Sequence, residues 1–169
     1  MMKKREPKDL EANFFSLLSQ RWALLTVAEG EGCNPMTVSW GGVGILWNKP
    51  VATVYVRPQR YTRGLIDGEQ YFSLTFLPEE KHQVAVFCGA KSGREVNKVK
   101  ECGLTVLRDE PAPYFAEGEL TLICRKLYQQ DLAGDCFVDG ELEEKNYPGK
   151  DYHRMYVGEI VAVLEKEKG

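Results

Sequence analysis

Histidine is scarce in this chain: two residues, His82 and His153, far apart, are the only imidazoles in 169 positions. With no H-E-x-x-H and no C-x-x-C, the sequence offers no recognisable zinc-ligand spacing, and no metal is expected. The five cysteines (Cys33, Cys88, Cys102, Cys124, Cys136) are odd in number and widely spread. They do not form a disulfide framework and read as reduced thiols of a cytosolic compartment. No window approaches about 18 uninterrupted apolar residues, so no membrane partner is expected. The cationic start Met1-Met2-Lys3-Lys4-Arg5 is not followed by the apolar stretch of a secretory signal, and the expected location is cytoplasmic.

Excess charge is lacking too. Lys and Arg number 22 against 25 Asp and Glu, a formal net charge of −3, which gives no electrostatic case for nucleic acid. Missing G-x-S-x-G, G-x-G-x-x-G and G-x-x-x-x-G-K-S/T patterns leave hydrolase, dinucleotide and P-loop readings without support. There is no repeat, low-complexity tract or linker, so residues 1–169 are expected to form one domain.

What the chain does have is a series of short β-branched and aromatic runs. Trp22 to Ala28, Met36 to Trp40 and Val51 to Val56 read as strands, with glycines 41, 42 and 44 and an Asn48-Lys49-Pro50 turn between the last two. Gln70 to Phe76 sets Tyr71, Ser73 and Thr75 against Phe72, Leu74 and Phe76, a clean period of two. Leu104 to Leu107, Glu119 to Tyr128 and Met155 to Leu164 complete the strands, the last two long enough to line opposite sides of one core. Glu165 to Gly169 reads as a solvated end. Arg60 to Asp67 suggests a short helix. Pro78 opens another, with Glu79 and Glu80 in its first turn and Gly89 as C-cap, and Val96 to Lys100 a third behind Ser92 or Asn97. Strands outnumber helices and come in runs, which predicts a mainly β, α+β fold built on an antiparallel barrel.

Chemistry gathers at strand ends. In Met36-Thr37-Val38-Ser39-Trp40, side-chain alternation puts Thr37 and Ser39 on one face and Met36, Val38 and Trp40 on the other. That suits a flat ring with polar edges, or simply a half-buried edge strand. Arg57-Pro58-Gln59-Arg60-Tyr61-Thr62 presents two guanidiniums around a rigid proline, followed by a hydroxyl at a helix start, a donor set for a phosphate. Solvated arginines at a strand end are the plainer alternative. Lys91-Ser92-Gly93-Arg94 is either a second cationic loop over the same phosphate or an ordinary surface loop. His153, just before the last strand, titrates nearest neutral pH and is either a site residue or a hydrogen-bonded structural one.

Together these motifs resemble the flavin reductase-like, FMN-binding split-barrel family, in particular its flavoredoxin-like branch. The likeness spans Trp22 to Val163 and rests on Asn34 to Trp40, Arg57 to Thr62, Lys91 to Arg94 and His153 to Glu159. It implies a Greek-key split barrel, a homodimer, and FMN near the subunit interface. Met36, Thr37, Val38, Ser39 and Trp40 would line the isoalloxazine. Arg57, Arg60, Tyr61 and Thr62 would hold the phosphate and ribityl chain, Lys91, Ser92 and Arg94 would cover it, and His153 would stand near the reactive face. Members either reduce flavin with NADH or NADPH or carry electrons on bound FMN to another redox protein; the motifs do not separate these roles. A non-redox barrel for some other phosphorylated or aromatic ligand is a third reading. The donor, the acceptor and any redox role of the cysteines stay open.

Overall fold

The computed structural model describes residues 2–167. Its strands are β1 (Met2–Arg5), β2 (Ala23–Glu29), β3 (Gly32–Val38), β4 (Gly41–Leu46), β5 (Lys49–Val56), β6 (Tyr71–Phe76), β7 (Val106–Leu107), β8 (Tyr114–Phe115), β9 (Leu120–Asp131) and β10 (Arg154–Lys166). The helices are short: α1 (Phe14–Ser16), running on into a π-type turn over Leu17–Arg21, then α2 (Tyr61–Gly68), α3 (His82–Ala90), α4 (Lys98–Glu101) and α5 (Gly140–Asn146).

One antiparallel sheet runs β3-β2-β6-β9-β10-β5-β4, with β1 added on β10, and β7-β8 form a separate ribbon. The two ends of that path, β3 and β4, are consecutive in the chain, joined only by Ser39 and Trp40. The sheet therefore curls until its edges come close, but it is bridged covalently rather than by a ladder. This is a split barrel, and the split lies at Ser39-Trp40.

Burial on two sides explains the apolar runs. Ala23, Leu25 and Val27 of β2 join the barrel core with Phe72, Phe76 and Tyr156, whereas Leu24 faces a second cluster with Ala85, Cys88, Leu104 and Phe115 beneath α3. A strand covered on both faces has no polar face to show. Fully burying one such side chain stabilises by about 1.5–3 kcal/mol. Even the alternating β6 is covered on both sides. Ser73 donates to the Pro113 carbonyl at 2.6 Å and Thr121 to the Thr75 hydroxyl at 3.2 Å, and all three hydroxyl residues are fully buried.

Several sequence expectations are corrected. Trp22 is not in β2: with φ of 65° it ends the π-type turn. The strand expected over Met36 to Trp40 runs instead from Gly32 to Val38, so Ser39 and Trp40 lie beyond its end. The glycine stretch is a strand, β4, paired with β5 from Gly41↔Val54 to Leu46↔Lys49. The turn is therefore Trp47-Asn48, with φ of 52° and 56°, the two-residue geometry whose twist matches an antiparallel hairpin. Pro50 sits in β5 just beyond the ladder to β10, which starts at Val51, so its missing N–H costs no pairing there. Gly89 is not a cap but lies inside α3, packed on Thr37. A 3₁₀ turn, Glu79–Lys81, precedes that helix, and Asn97 caps α4 by accepting from Lys100 N at 3.1 Å.

Two further corrections concern the long strands. β9 and β10 do not line opposite walls; they pair with each other along their length, with register shifts at Val157/Gly158 and Ile160/Ala162. Such bulges bend a ribbon and let a sheet curl. Glu165 and Lys166 are not a loose end either, since they extend β10 and pair with Lys3 and Met2. Lys168 and Gly169 lie outside the described residues. None of the described helices is long and apolar enough to cross a membrane.

Candidate functional site

At the split of the barrel, Met36, Thr37, Val38, Ser39 and Trp40 meet Tyr55, Arg57, Arg60 and His153 around a cleft of about 230 Å³. Three elements converge there: the free edge of β3, the C-terminal end of β5 and the start of β10. Among the described residues β3 pairs only with β2, so the backbone N–H and C=O groups on its other edge have no strand partner there. An edge strand is a ready row of donors and acceptors.

Gly41 makes this corner possible. Its φ is +146°, and a Cβ there would stand 2.2 Å from the Thr53 carbonyl oxygen of β5. Only glycine lets the chain cross from β3 to β4 against that backbone. Trp40, half exposed, then turns its ring toward His153, with centroids 5.1 Å apart.

The two arginines do different work. Arg57 donates from Nη1 to Asp151 at 2.7 Å and from Nη2 to the Asn146 carbonyl at 2.8 Å, and its guanidinium lies 5.1 Å over the Tyr147 ring. Gln59 also donates to Asp151, and these two bonds hold that carboxyl below the usual range. Arg57 thus pins the segment between β9 and β10 to the end of β5. Arg60 donates to the Gly89 carbonyl at 2.9 Å and has no ion pair among the described residues. Burial lowers its pKa, yet a guanidinium stays charged. Lys98, buried, donates to the carbonyls of Cys88 at 2.8 Å and Pro35 at 3.0 Å. Its pKa is lowered to about 8, mainly by burial and then by Arg60. Both cations thereby take carbonyls at the C-terminal end of α3, where a helix leaves acceptors and partial negative charge.

Not every expected residue reaches the cleft. Thr62 is buried, its hydroxyl accepting from Asn34 Nδ2 at 2.8 Å. The Tyr61 phenol donates to Glu29. Arg94 stacks over the Tyr61 ring at 5.2 Å and donates to the Gln59 carbonyl at 3.3 Å, while Ser92 accepts from Arg94 N and Lys91 is exposed. The loop from Lys91 to Arg94 therefore touches the Arg57–Thr62 turn without lining the cleft itself. His82 lies elsewhere, its ring 4.7 Å from that of Trp22.

Four residues of the site escaped the sequence reading. Tyr55 was legible in principle, two positions before Arg57 and so on the same strand face. Asp151, Tyr147 and Lys98 gave no local signal, because their partners lie on other elements. His153 accepts or donates through Nδ1 to the Tyr147 hydroxyl at 2.8 Å. Burial, followed by the Arg57 charge, lowers its pKa to about 4, so the ring is neutral near pH 7. Burial also pushes the Cys33 and Cys88 thiols up, to about 11 and about 12, and raises that of Cys124.

A split antiparallel barrel with a cationic, aromatic-walled cleft at its opening defines a class of small ligand-binding barrels. The family model described as "Flavin reductase like domain" matches residues 15–169, and the chain belongs to that family. Solved structures agree on the fold. A flavoredoxin from Methanosarcina acetivorans is 26% identical over 87% of this chain and 69% of its own, with a TM-score of 0.68. An FMN-binding protein from Thermus thermophilus, solved with bound p-hydroxybenzaldehyde, is 23% identical over 98% and 83%, also at 0.68. An NADH:FAD oxidoreductase from Streptomyces globisporus is 15% identical over 86% and 75%, at 0.63. No curated protein matches the chain in sequence.

The residues present fit a flavin. Edge amides of β3 that no described strand pairs suit the polar rim of the ring, Trp40 supplies an apolar wall, and Arg60 offers a cation with no ion pair among the described residues. Arg57 fits less well as a phosphate ligand, since Asp151 already pairs with it.

Proposed function

We propose that the protein is an FMN-binding oxidoreductase of the NAD(P)H-dependent flavin reductase type, acting as a homodimer. The observation that carries this reading is the convergence of the β3 edge, Trp40, Arg60 and His153 on one cleft at the barrel's split, in a chain of the flavin reductase-like family. FMN, when bound, would supply the hydride- and electron-accepting chemistry. The chain's own part is to hold and tune. The β3 amides would hold the ring's polar edge, Arg60 would attract the phosphate, Trp40 would exclude water from the cleft, and His153 would offer a polar atom at its wall.

The family match and the flavin-named neighbours support FMN over an unrelated ligand. A second reading is a flavoredoxin-type carrier, which passes electrons from bound FMN and does not itself oxidise a nicotinamide. It is favoured by the 26% identity to a flavoredoxin.

One anaerobic titration separates the readings. The visible spectrum is recorded on the purified protein, then after adding FMN, then NADH or NADPH, and the chromophore is identified by mass. A flavin band that bleaches with a nicotinamide is the expected result. Bleaching only by dithionite establishes the carrier, and a protein that neither contains nor takes up FMN overturns both and leaves a non-redox ligand for the barrel.

A further inference from the structure

Tyr147 and His153 share a hydrogen bond that can be made in only two ways, and their surroundings decide between them. The phenolic oxygen stands 2.8 Å from Nδ1, and both residues are buried, at 6% and 9% exposure. If Nδ1 carried the proton, the tyrosine oxygen would accept it, and the phenol's own hydrogen would need a second acceptor in a residue only 6% exposed. No other acceptor for that hydrogen exists among the described residues. A buried donor left without an acceptor is costly. If instead the phenol donates to a bare Nδ1, both groups are satisfied. Burial keeps the phenol protonated by raising its pKa, so it stays a donor.

The charged groups around the pair favour a neutral ring. Arg57 lies over the Tyr147 ring at 5.1 Å, and Asp151, the nearest carboxylate, is already engaged by Arg57 and Gln59. Arg60 lines the same cleft. Asp151 alone in this set favours an imidazolium, and burial together with the Arg57 charge outweighs it. A neutral ring with Nδ1 bare must carry its single proton on Nε2. That atom has no partner among the described residues and is not sealed from solvent, on a side chain that lines the cleft against Trp40.

We propose that Tyr147 is a positioning residue that fixes the His153 tautomer, so that the cleft presents a neutral Nε2–H donor to an acceptor atom on the bound ring system. The ligand class this implies carries an imine-type nitrogen or a carbonyl oxygen at that point. Tyr147 is itself held by its position after α5, where its N–H bonds Glu143 O at 2.7 Å, and by the rings of Phe137 and Tyr152 at 5.8 and 5.2 Å. Its catalytic consequence rests on the flavin reading above; the tautomer does not.

Long-range ¹⁵N–¹H correlation spectra of the intact protein test this directly. Only two histidines are present, and H82Q assigns the signals. Near neutral pH, His153 is expected to show a bare Nδ1 and a protonated Nε2. Y147F is expected to mix the two tautomers, raise the ring's pKa, and slow flavin reduction by about 10-fold, as loss of an orienting partner does, with FMN affinity unchanged. A protonated Nδ1 in the wild type, or a Y147F spectrum identical to it, overturns the proposal. The wild-type spectrum alone decides should Y147F fail to fold. Failure to bind FMN, with the Nε2–H tautomer present, sinks the flavin reading and leaves the positioning role standing.

Discussion

Arg57 and Arg60 stand three residues apart with the same charge, but among the described residues only Arg57 has a carboxylate to answer it. An anion brought to the cleft gains most from the cation that no described carboxylate already pairs. Arg60→Ala is therefore expected to weaken FMN binding by about 10–100-fold, the range of a hydrogen bond to a charged group. Arg57→Ala should cost less affinity and instead loosen the segment it pins. Fluorescence quenching titrations measure both, and an Arg60→Ala affinity equal to wild type would refute the phosphate role. His153 makes a prediction about pH. Its folded pKa, about 4, lies below its ordinary value of 6.5, so the unfolded chain binds more protons between those values. Stability contributed by the neutral ring is full above about pH 6.5 and is lost as pH falls toward 4, by roughly 1–3 kcal/mol. Urea midpoints of wild type and His153→Gln, compared across that window, should show the slope shrink in the variant. Asp151, Asp131 and Glu159, whose pKa values are all lowered, add acid sensitivity common to both proteins.

The β3–β4 crossing is the element on which the cleft depends. At Gly41 a methyl group would press on the Thr53 carbonyl and force a side chain into a conformation that L residues rarely adopt. Gly41→Ala is expected to destabilise by about 1–3 kcal/mol, and thermal unfolding should fall by about 2–4 °C for each kcal/mol. An unchanged melting temperature would mean the corner yields. This same crossing shows where sequence reading stops. β2, β5, β6 and β9 were legible because β-branched and aromatic side chains announce a pleated, buried surface. β4 was not, because Gly41, Gly42 and Gly44 carry no side chains to form a pattern, and its pairing is visible only against β5. Likewise Met36 to Trp40, Arg57, Arg60 and His153 could be singled out by residue type, and the fold brings them to one cleft. Tyr61, Thr62 and the loop from Lys91 to Arg94 looked equivalent on paper. Their partners, Glu29, Asn34 and Gln59, come from elsewhere in the chain, and no spacing rule could reveal them.

For the whole molecule, the split leaves a surface that a lone chain does not cover. β4 ends the sheet, and Ile45 and Leu46 on it are 75% and 40% exposed, next to Trp47 at 54%. Phe15, at 88%, and Trp40, at 50%, share a neighbouring groove with Gly41, Gly42 and Val43. An open edge with apolar side chains invites pairing, and a second copy of the same surface is the commonest way to satisfy it. Because Trp40 belongs both to this rim and to the cleft, association and flavin binding should be coupled. Sedimentation at micromolar concentration is expected to give a dimer. Ile45→Lys places a charge on an already exposed position, so the fold should persist while the charge would have to be desolvated at a packed interface. The variant is expected to sediment as a monomer with native circular dichroism and to hold FMN at least several-fold more weakly. A wild-type monomer, or an Ile45→Lys dimer with unaltered flavin affinity, would show that the cleft is complete within one chain and that this apolar rim serves some other contact.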